Sequence, residues 1–129
     1  MDFLDRLCDA IEADLSPYSP IDVGSLSDGD SIAIRRYATP RNTRYYNGGK
    51  IENFGFQVLC KNSNATAAIN TIQDITDYLD GKTELLSNDG SFSLNIIEVS
   101  TYPNWVETTE HAQEVYTALF VAELYREVK

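Results

Sequence analysis

Apolar residues recur every three or four positions at the start of the chain. Phe3, Leu4, Leu7, Cys8, Ile11 and Leu15 form one stripe, which predicts an amphipathic helix over Asp2 to Leu15. Asp2 and Asp5 favour its positive end, and Ser16-Pro17 stops it, because proline lacks the amide and restricts its predecessor. Pro17 to Asp30 reads as a connection with a short extended piece around Ile21 and Val23. The pattern then switches to period two. Ser31 to Ala38 places Ile32 and Ile34 on one face and Arg35 and Tyr37 on the other, a strand. Glu52 to Lys61 is the clearest strand, with Phe54, Phe56, Val58 and Cys60 on one face and only Leu59 breaking the polarity of the other.

Between these two strands, Thr39 to Lys50 is a polar arm ending in Asn47-Gly48-Gly49, a turn signal that calls for positive φ. A second helix follows, capped by Asn62-Ser63, with Ala65, Ala68, Ile69, Ile72, Ile75 and Leu79 on its apolar face and Asp80-Gly81 at its end. Asn88-Asp89-Gly90 is a turn into a strand over 91–101, where Ile96-Ile97 breaks the alternation as a bulge would. Pro103 closes that element. The run from Gln113 to Val128 carries both a helical spacing, Val115-Leu119-Ala122, and an alternating one, Val115-Thr117-Leu119-Val121. A long strand is favoured because the 91–101 strand needs a partner. The order is helix, two strands, helix, two strands. It predicts an α+β fold in which a small mixed, mainly antiparallel sheet is covered by two amphipathic helices.

A chain of 129 residues, 43% hydrophobic, is the size of one ordinary domain. Its net charge of −10 opposes attraction to duplex DNA or anionic lipid. The first residues have neither a basic region nor a long apolar run, so no signal peptide and no membrane association are expected. The charge is uneven. Residues 1–30 hold eight acids and one arginine, whereas 35–50 hold Arg35, Arg36, Arg41, Arg44 and Lys50 and no acid.

Catalytic chemistry finds no footing in the sequence. His111 is the single histidine, in the polar run Glu107-Thr108-Thr109-Glu110, and reads as a solvated surface residue. Cys8 and Cys60 lie in apolar segments as free buried thiols, fitting a reducing compartment, and are too few for a zinc site. Asp28-Gly29-Asp30 lacks the further ligands of a calcium loop, and Asn47-Gly48-Gly49-Lys50 lacks the run of a phosphate loop. No enzyme, cofactor or metal is expected. What stands out is the basic segment, where Tyr37, Tyr45 and Tyr46 alternate with Arg35, Arg36, Arg41, Arg44 and Lys50. Tyrosine and arginine anchor protein interfaces, and the same mixture stacks on single-stranded nucleic acid. A neighbouring copy's acidic surface could also receive these arginines and build a heterologous ring.

The order of phrases completes the picture. An N-terminal amphipathic helix precedes Ile32-Ala33-Ile34-Arg35-Arg36-Tyr37 and the polar arm. Phe54-Gly55-Phe56-Gln57-Val58-Leu59-Cys60-Lys61 then leads to a capped helix, and after Pro103 comes an acidic connection and the end Tyr116 to Tyr125. This resembles the minor capsid, or tail terminator, proteins of long-tailed bacteriophages of Gram-positive hosts, over nearly the whole chain. The resemblance implies a single domain over 1–129 that assembles as a six-membered ring on the tail tube. The ring stops tube elongation, docks a head completion protein and lets genome DNA pass through its channel without specific binding. It implies a place in the virion, with the host cytoplasm as the site of assembly. By position, the arm from Thr39 to Lys50 would touch a neighbouring subunit or the tube protein. A glycine-containing turn usual in this family at 107–111 is missing. Two alternatives stand beside it: another head–tail connector such as a head completion protein, and a single-stranded nucleic-acid-binding module using the Tyr/Arg arm.

Overall fold

The computed structural model describes residues 2–38, 43–46, 49–87 and 90–127, with the backbone alone at 43–46 and 127. Helix α1 spans Phe3–Leu15 and buries Phe3, Leu7, Cys8 and Ile11. It ends at Ser16, which takes the left-handed conformation at φ 47° and returns its N–H to Glu12 O. Strand β1, Ile21–Val23, runs parallel to β2, Ser31–Arg36, with Ile21 opposite Ile32. The Ile21 N–H donates to the Glu12 carboxylate at 2.9 Å, tying the start of β1 to α1.

Strand β3, Thr43–Tyr46, pairs antiparallel with the start of β4, Gly49–Asn62. The polar arm thus contains a strand of its own, which the sequence pattern did not predict. Residues 43–46 are too polar and too short to announce themselves, and the register of β4 holds them. β2 joins the same edge of β4 further along, Arg36 lying opposite Phe56 and Ser31 opposite Lys61. The Asn47-Gly48 turn itself lies outside the described residues, as does Asn88-Asp89.

Helix α2, Ala65–Leu79, is capped by Asn64, whose side chain accepts from Ala67 N at 3.3 Å. The cap therefore sits one or two residues later than Asn62-Ser63. The Asn62 side-chain Oδ1 instead accepts from Asn64 N at 2.8 Å and shapes the entry. The buried face is Ala68, Ile72, Ile75, Thr76 and Leu79, narrower than the pattern predicted; Ile69 stays 44% exposed. Thr76 replaces it inside because its hydroxyl donates to Ile72 O at 2.7 Å. Gly81 follows at φ +83°.

Strand β5 runs from Ser93 to Thr108, straight through Pro103. The proline does not close the strand because β5 is an edge, where a missing amide takes no hydrogen bond from a neighbour. The register shifts near Leu94/Ile96, one residue before the expected bulge, so Ile97 rather than Ile96 reaches the core. Glu107 and Thr108 belong to this strand and not to a loop. β6, Glu114–Glu127, resolves the ambiguous run as a strand. It pairs with β4 from Gly49/Glu127 to Asn62/Glu114 and with β5 on its other side. The sheet order is β1-β2-β4-β6-β5, with β3 beside β2 on β4.

Two helices against a mostly antiparallel sheet make this the α+β fold that the pattern predicts. Both helices cover one face, where Ile32, Ile34, Phe54, Phe56, Val58, Cys60, Ala118, Phe120 and Ala122 meet Leu7, Ile11, Ile72 and Ile75. Phe3 stands at the centre of an aromatic cluster, edge-on to Phe54, Phe56 and Phe92 with centroids 5.1, 5.8 and 5.3 Å away. On the opposite face Ala33, Leu59 and Val115 form a small second cluster under Leu26, which explains why Leu59 interrupts the polar alternation.

Candidate assembly interface

The basic segment divides between β2, β3 and the start of β4, with β2 and β3 following one another along the same side of β4. Arg35 lies on the face away from the helices. Its Nε donates to Gln57 Oε1 at 2.7 Å, Gln57 donates to Thr117 Oγ1 at 2.9 Å, and Thr117 donates to Val58 O at 3.0 Å. A polar rail thus crosses three strands. Arg36, on the helix-covered face, places its guanidinium 4.7 Å from the centre of the Phe54 ring. Tyr37 remains half exposed, with its N–H on Gly55 O at 2.9 Å. Arg44, Tyr45 and Tyr46 sit on β3 opposite Ile51, Lys50 and Gly49. Arg41 lies outside the described residues.

Lys50 is drawn to Glu52 at 3.6 Å, and Arg126 holds the same carboxylate at 2.9 Å. Partial burial pulls the Glu52 carboxyl upward, but the Arg126 and Lys50 cations outweigh it and leave it below the usual glutamate range. Gly49 is pressed against β6 at this point. A side chain there would run into the Tyr125 ring and come 2.7 Å from Arg126 O. Close approach, and not a turn conformation, is what requires glycine here.

The other residues singled out for chemistry are placed apart. His111 is exposed beside Glu110, at 4.0 Å. Cys8 and Cys60 are buried and unpaired, and burial pushes both thiols up to about 12. Asp30 acts as a latch, accepting from Gln113 Nε2 at 3.0 Å and from Ser63 N at 2.8 Å, and these bonds hold its carboxyl below the usual range. Among the described residues no three His, Cys, Asp or Glu side chains gather as a metal requires. Nor is any described helix long and apolar enough to cross a membrane.

Sequence reasoning passed over the opposite edge. Tyr102, Trp105 and Val106 on β5 are 67%, 55% and 43% exposed. Trp105 donates its indole N–H to Glu114 Oε2 at 2.6 Å, and Thr108 donates to the other oxygen at 2.8 Å. The signal was the pair of aromatics flanking Pro103: Tyr102 and the chain's single tryptophan, Trp105.

The sequence model of the bacteriophage tail terminator protein family matches residues 14–126. The chain belongs to that family. It is accordingly a structural protein of the phage tail, and the span matched covers α2, β1 to β5 and all but the last residue of β6 while leaving most of α1 outside. No curated protein matches the chain. Among solved structures, a chain of the "Virion of native gene transfer agent (GTA) particle" is similar with a TM-score of 0.54 at 14% identity, over 89% of this terminator and 84% of that chain. At that identity the likeness is one of fold.

Proposed function

We propose that this protein caps the phage tail tube as a ring of identical subunits, stops tube elongation and offers its outer face for head attachment. The family match over residues 14–126 carries this reading. The fold shared with a chain of a phage-like virion particle supports it and suits a place in the virion, reached by assembly in the host cytoplasm. Each chain acts as one domain, six to a ring, with the tube protein on one side and a head completion protein on the other.

The contacts between subunits or to the tube are assigned to Arg35, Arg36, Tyr37, Arg41, Arg44, Tyr45, Tyr46 and Lys50, whose charge and aromatic character fit an interface. No catalytic step belongs to this function. The buried thiols are poor nucleophiles, and among the described residues His111 meets only the equally exposed Glu110, at 4.0 Å, too loosely to orient it as a base. A net charge of −10 suits a channel past which DNA must slide without sticking.

Light-scattering mass across a concentration series, with and without purified tail tubes, tests the proposal, with negative-stain images of each mixture. Particles of about six times the 14.5 kDa chain mass, or discrete caps on tube ends, are expected. A chain that stays monomeric and leaves tube length unchanged would overturn it.

A further inference from the structure

β1 ends the sheet order on one side but pairs with β2 only at Ile32–Ile34; the part of that side beyond it, Arg35 and Arg36 of β2 together with β3, differs in charge from β5 at the other end. From residue 31 to 51 the sequence holds Arg35, Arg36, Arg41, Arg44 and Lys50 and no acid; these positions belong to β2, β3, their connection and the start of β4. From residue 83 to 125 it holds Glu84, Asp89, Glu98, Glu107, Glu110, Glu114 and Glu123 and neither lysine nor arginine, and this stretch builds β5 and nearly all of β6. Since β5 pairs only with β6 among the described residues, its far side is the sheet's acidic edge.

That edge also carries the exposed Tyr102, Trp105 and Val106. Large apolar side chains grouped on an edge mark an interaction surface. Trp105 is already fixed by its bond to Glu114, so little side-chain freedom is lost when a partner covers it. The backbone is less inviting. Register shifts at Val99/Thr101, Thr101/Asn104 and Trp105/Glu107, together with Pro103, interrupt any continuous ladder. This edge therefore offers side chains rather than a template for an arbitrary strand.

Cross-strand register links the two edges. Arg35 faces Gln57, Gln57 faces Leu119, and Leu119 faces Thr101, which adjoins Tyr102. One row across the sheet thus begins at Arg35 and ends at Thr101, beside the exposed Tyr102. A second copy displaced along that row brings its Arg35 and Tyr37 to the first copy's Tyr102.

We propose that the 100–108 half of β5 receives the β2/β3 edge of a second copy of this chain. Tyr102 and Trp105 pack against the arginines and Tyr37, and Glu107 and Glu110 face the positive charge. The surfaces differ, so the contact is heterologous and repeats in one sense around the ring proposed above. This assignment rests on the ring reading above and specifies which surfaces build it.

Complementary charge swaps test the assignment, made as R35E/R36E and as E107K/E110K. All four side chains are exposed, and thermal melts confirm that each variant folds. Each variant alone is expected to need at least about tenfold more protein to assemble, on tubes or free, because like charges then meet at every contact. An equimolar mixture should recover assembly, since alternating subunits restore opposite charges around an even-numbered ring. Trp105, the single tryptophan, supplies a second readout: its emission should shift to the blue and resist acrylamide quenching when wild-type protein assembles. Wild-type rings together with unimpaired assembly of both variants, or with unchanged Trp105 emission, would overturn the edge assignment and leave the ring standing. Wild-type protein that neither associates nor caps tubes would overturn the ring and this contact together.

Discussion

Phe3 offers the sharpest test of how this fold is held together. It lies on α1, most of which falls outside the family match, yet it is 1% exposed and touches three other phenylalanine rings. Truncating a buried phenylalanine to alanine costs about 3–5 kcal/mol, according to how far the site can collapse. Collapse is restricted here. Phe56 is anchored in β4 between β2 and β6 and stacked on Phe120 at 5.2 Å, and Phe54 is held opposite Ala122 of β6. Phe3→Ala should therefore cost about 4 kcal/mol, a large part of the roughly 5–15 kcal/mol that stabilises a domain. With an unfolding entropy of about 2.1 cal/mol/K per residue over 129 residues, the midpoint should fall by about 15 °C. Phe3→Leu keeps most of the apolar volume and loses the edge-to-face geometry, so about 1–1.5 kcal/mol is expected. Urea denaturation followed by circular dichroism gives both values, provided that the slope is unchanged. A loss below about 1 kcal/mol for Phe3→Ala would show that α1 is not part of the cooperative core.

Gly49→Ala should destabilise by about 1–3 kcal/mol, because the new methyl meets a β6 carbonyl that cannot retreat without opening the ladder; a wild-type urea midpoint would refute this close approach. Glu52→Gln tests the Arg126–Glu52–Lys50 cluster. A carboxyl held below its ordinary value of 4.5 contributes stability that is present above that value and lost as pH falls through the lower folded one. The variant should thus be about 1 kcal/mol less stable at pH 7, with the gap closing as pH falls below 4.5 and through the lower value of the folded carboxyl; a gap unchanged at the lowest pH where both proteins still fold would exclude this cause. Cys8 and Cys60, with thiols near 12, should resist alkylation at pH 8 until denaturant is added, as mass spectrometry would show; labelling of the native protein at the rate of a free thiol would contradict their burial.

Elements whose own pattern matched their surroundings were legible from sequence. The stripe from Phe3 to Ile11 and the alternation from Phe54 to Cys60 each point to one buried face, and that face is the one the core uses. Pro103 misled because proline excludes only an interior strand, and whether β5 is interior or edge depends on a sheet order that no local window contains. β3 escaped for the opposite reason: its pairing is dictated by β4, while Thr43 to Tyr46 has no apolar face of its own. Ile69 looked like core because a helical stripe is read more broadly than the surface that the sheet covers. At the candidate interface, the basic run was visible as composition. Its use within the chain was not. Arg35 bonds Gln57 across a distance set only by strand register, and Lys50 shares Glu52 with Arg126, which the pairing of β4 with β6 brings in from 74 positions away.

The position of β6 bears on how the protein is made. It follows β4 and β5 in the chain yet lies between them and pairs with both. During synthesis, β4 and β5 emerge first, each with a face of unsatisfied backbone groups waiting for the strand that will separate them. Premature pairing of β4 with β5 would occupy the slot that β6 needs. The chain must therefore leave its sheet open until almost all of it has been translated, and most of its long-range contacts then form together and late. Truncation within 114–127 should consequently remove the middle of the sheet and not its margin. Such fragments would expose two sticky edges at once, a hazard for a protein whose work depends on meeting copies of itself in the right order.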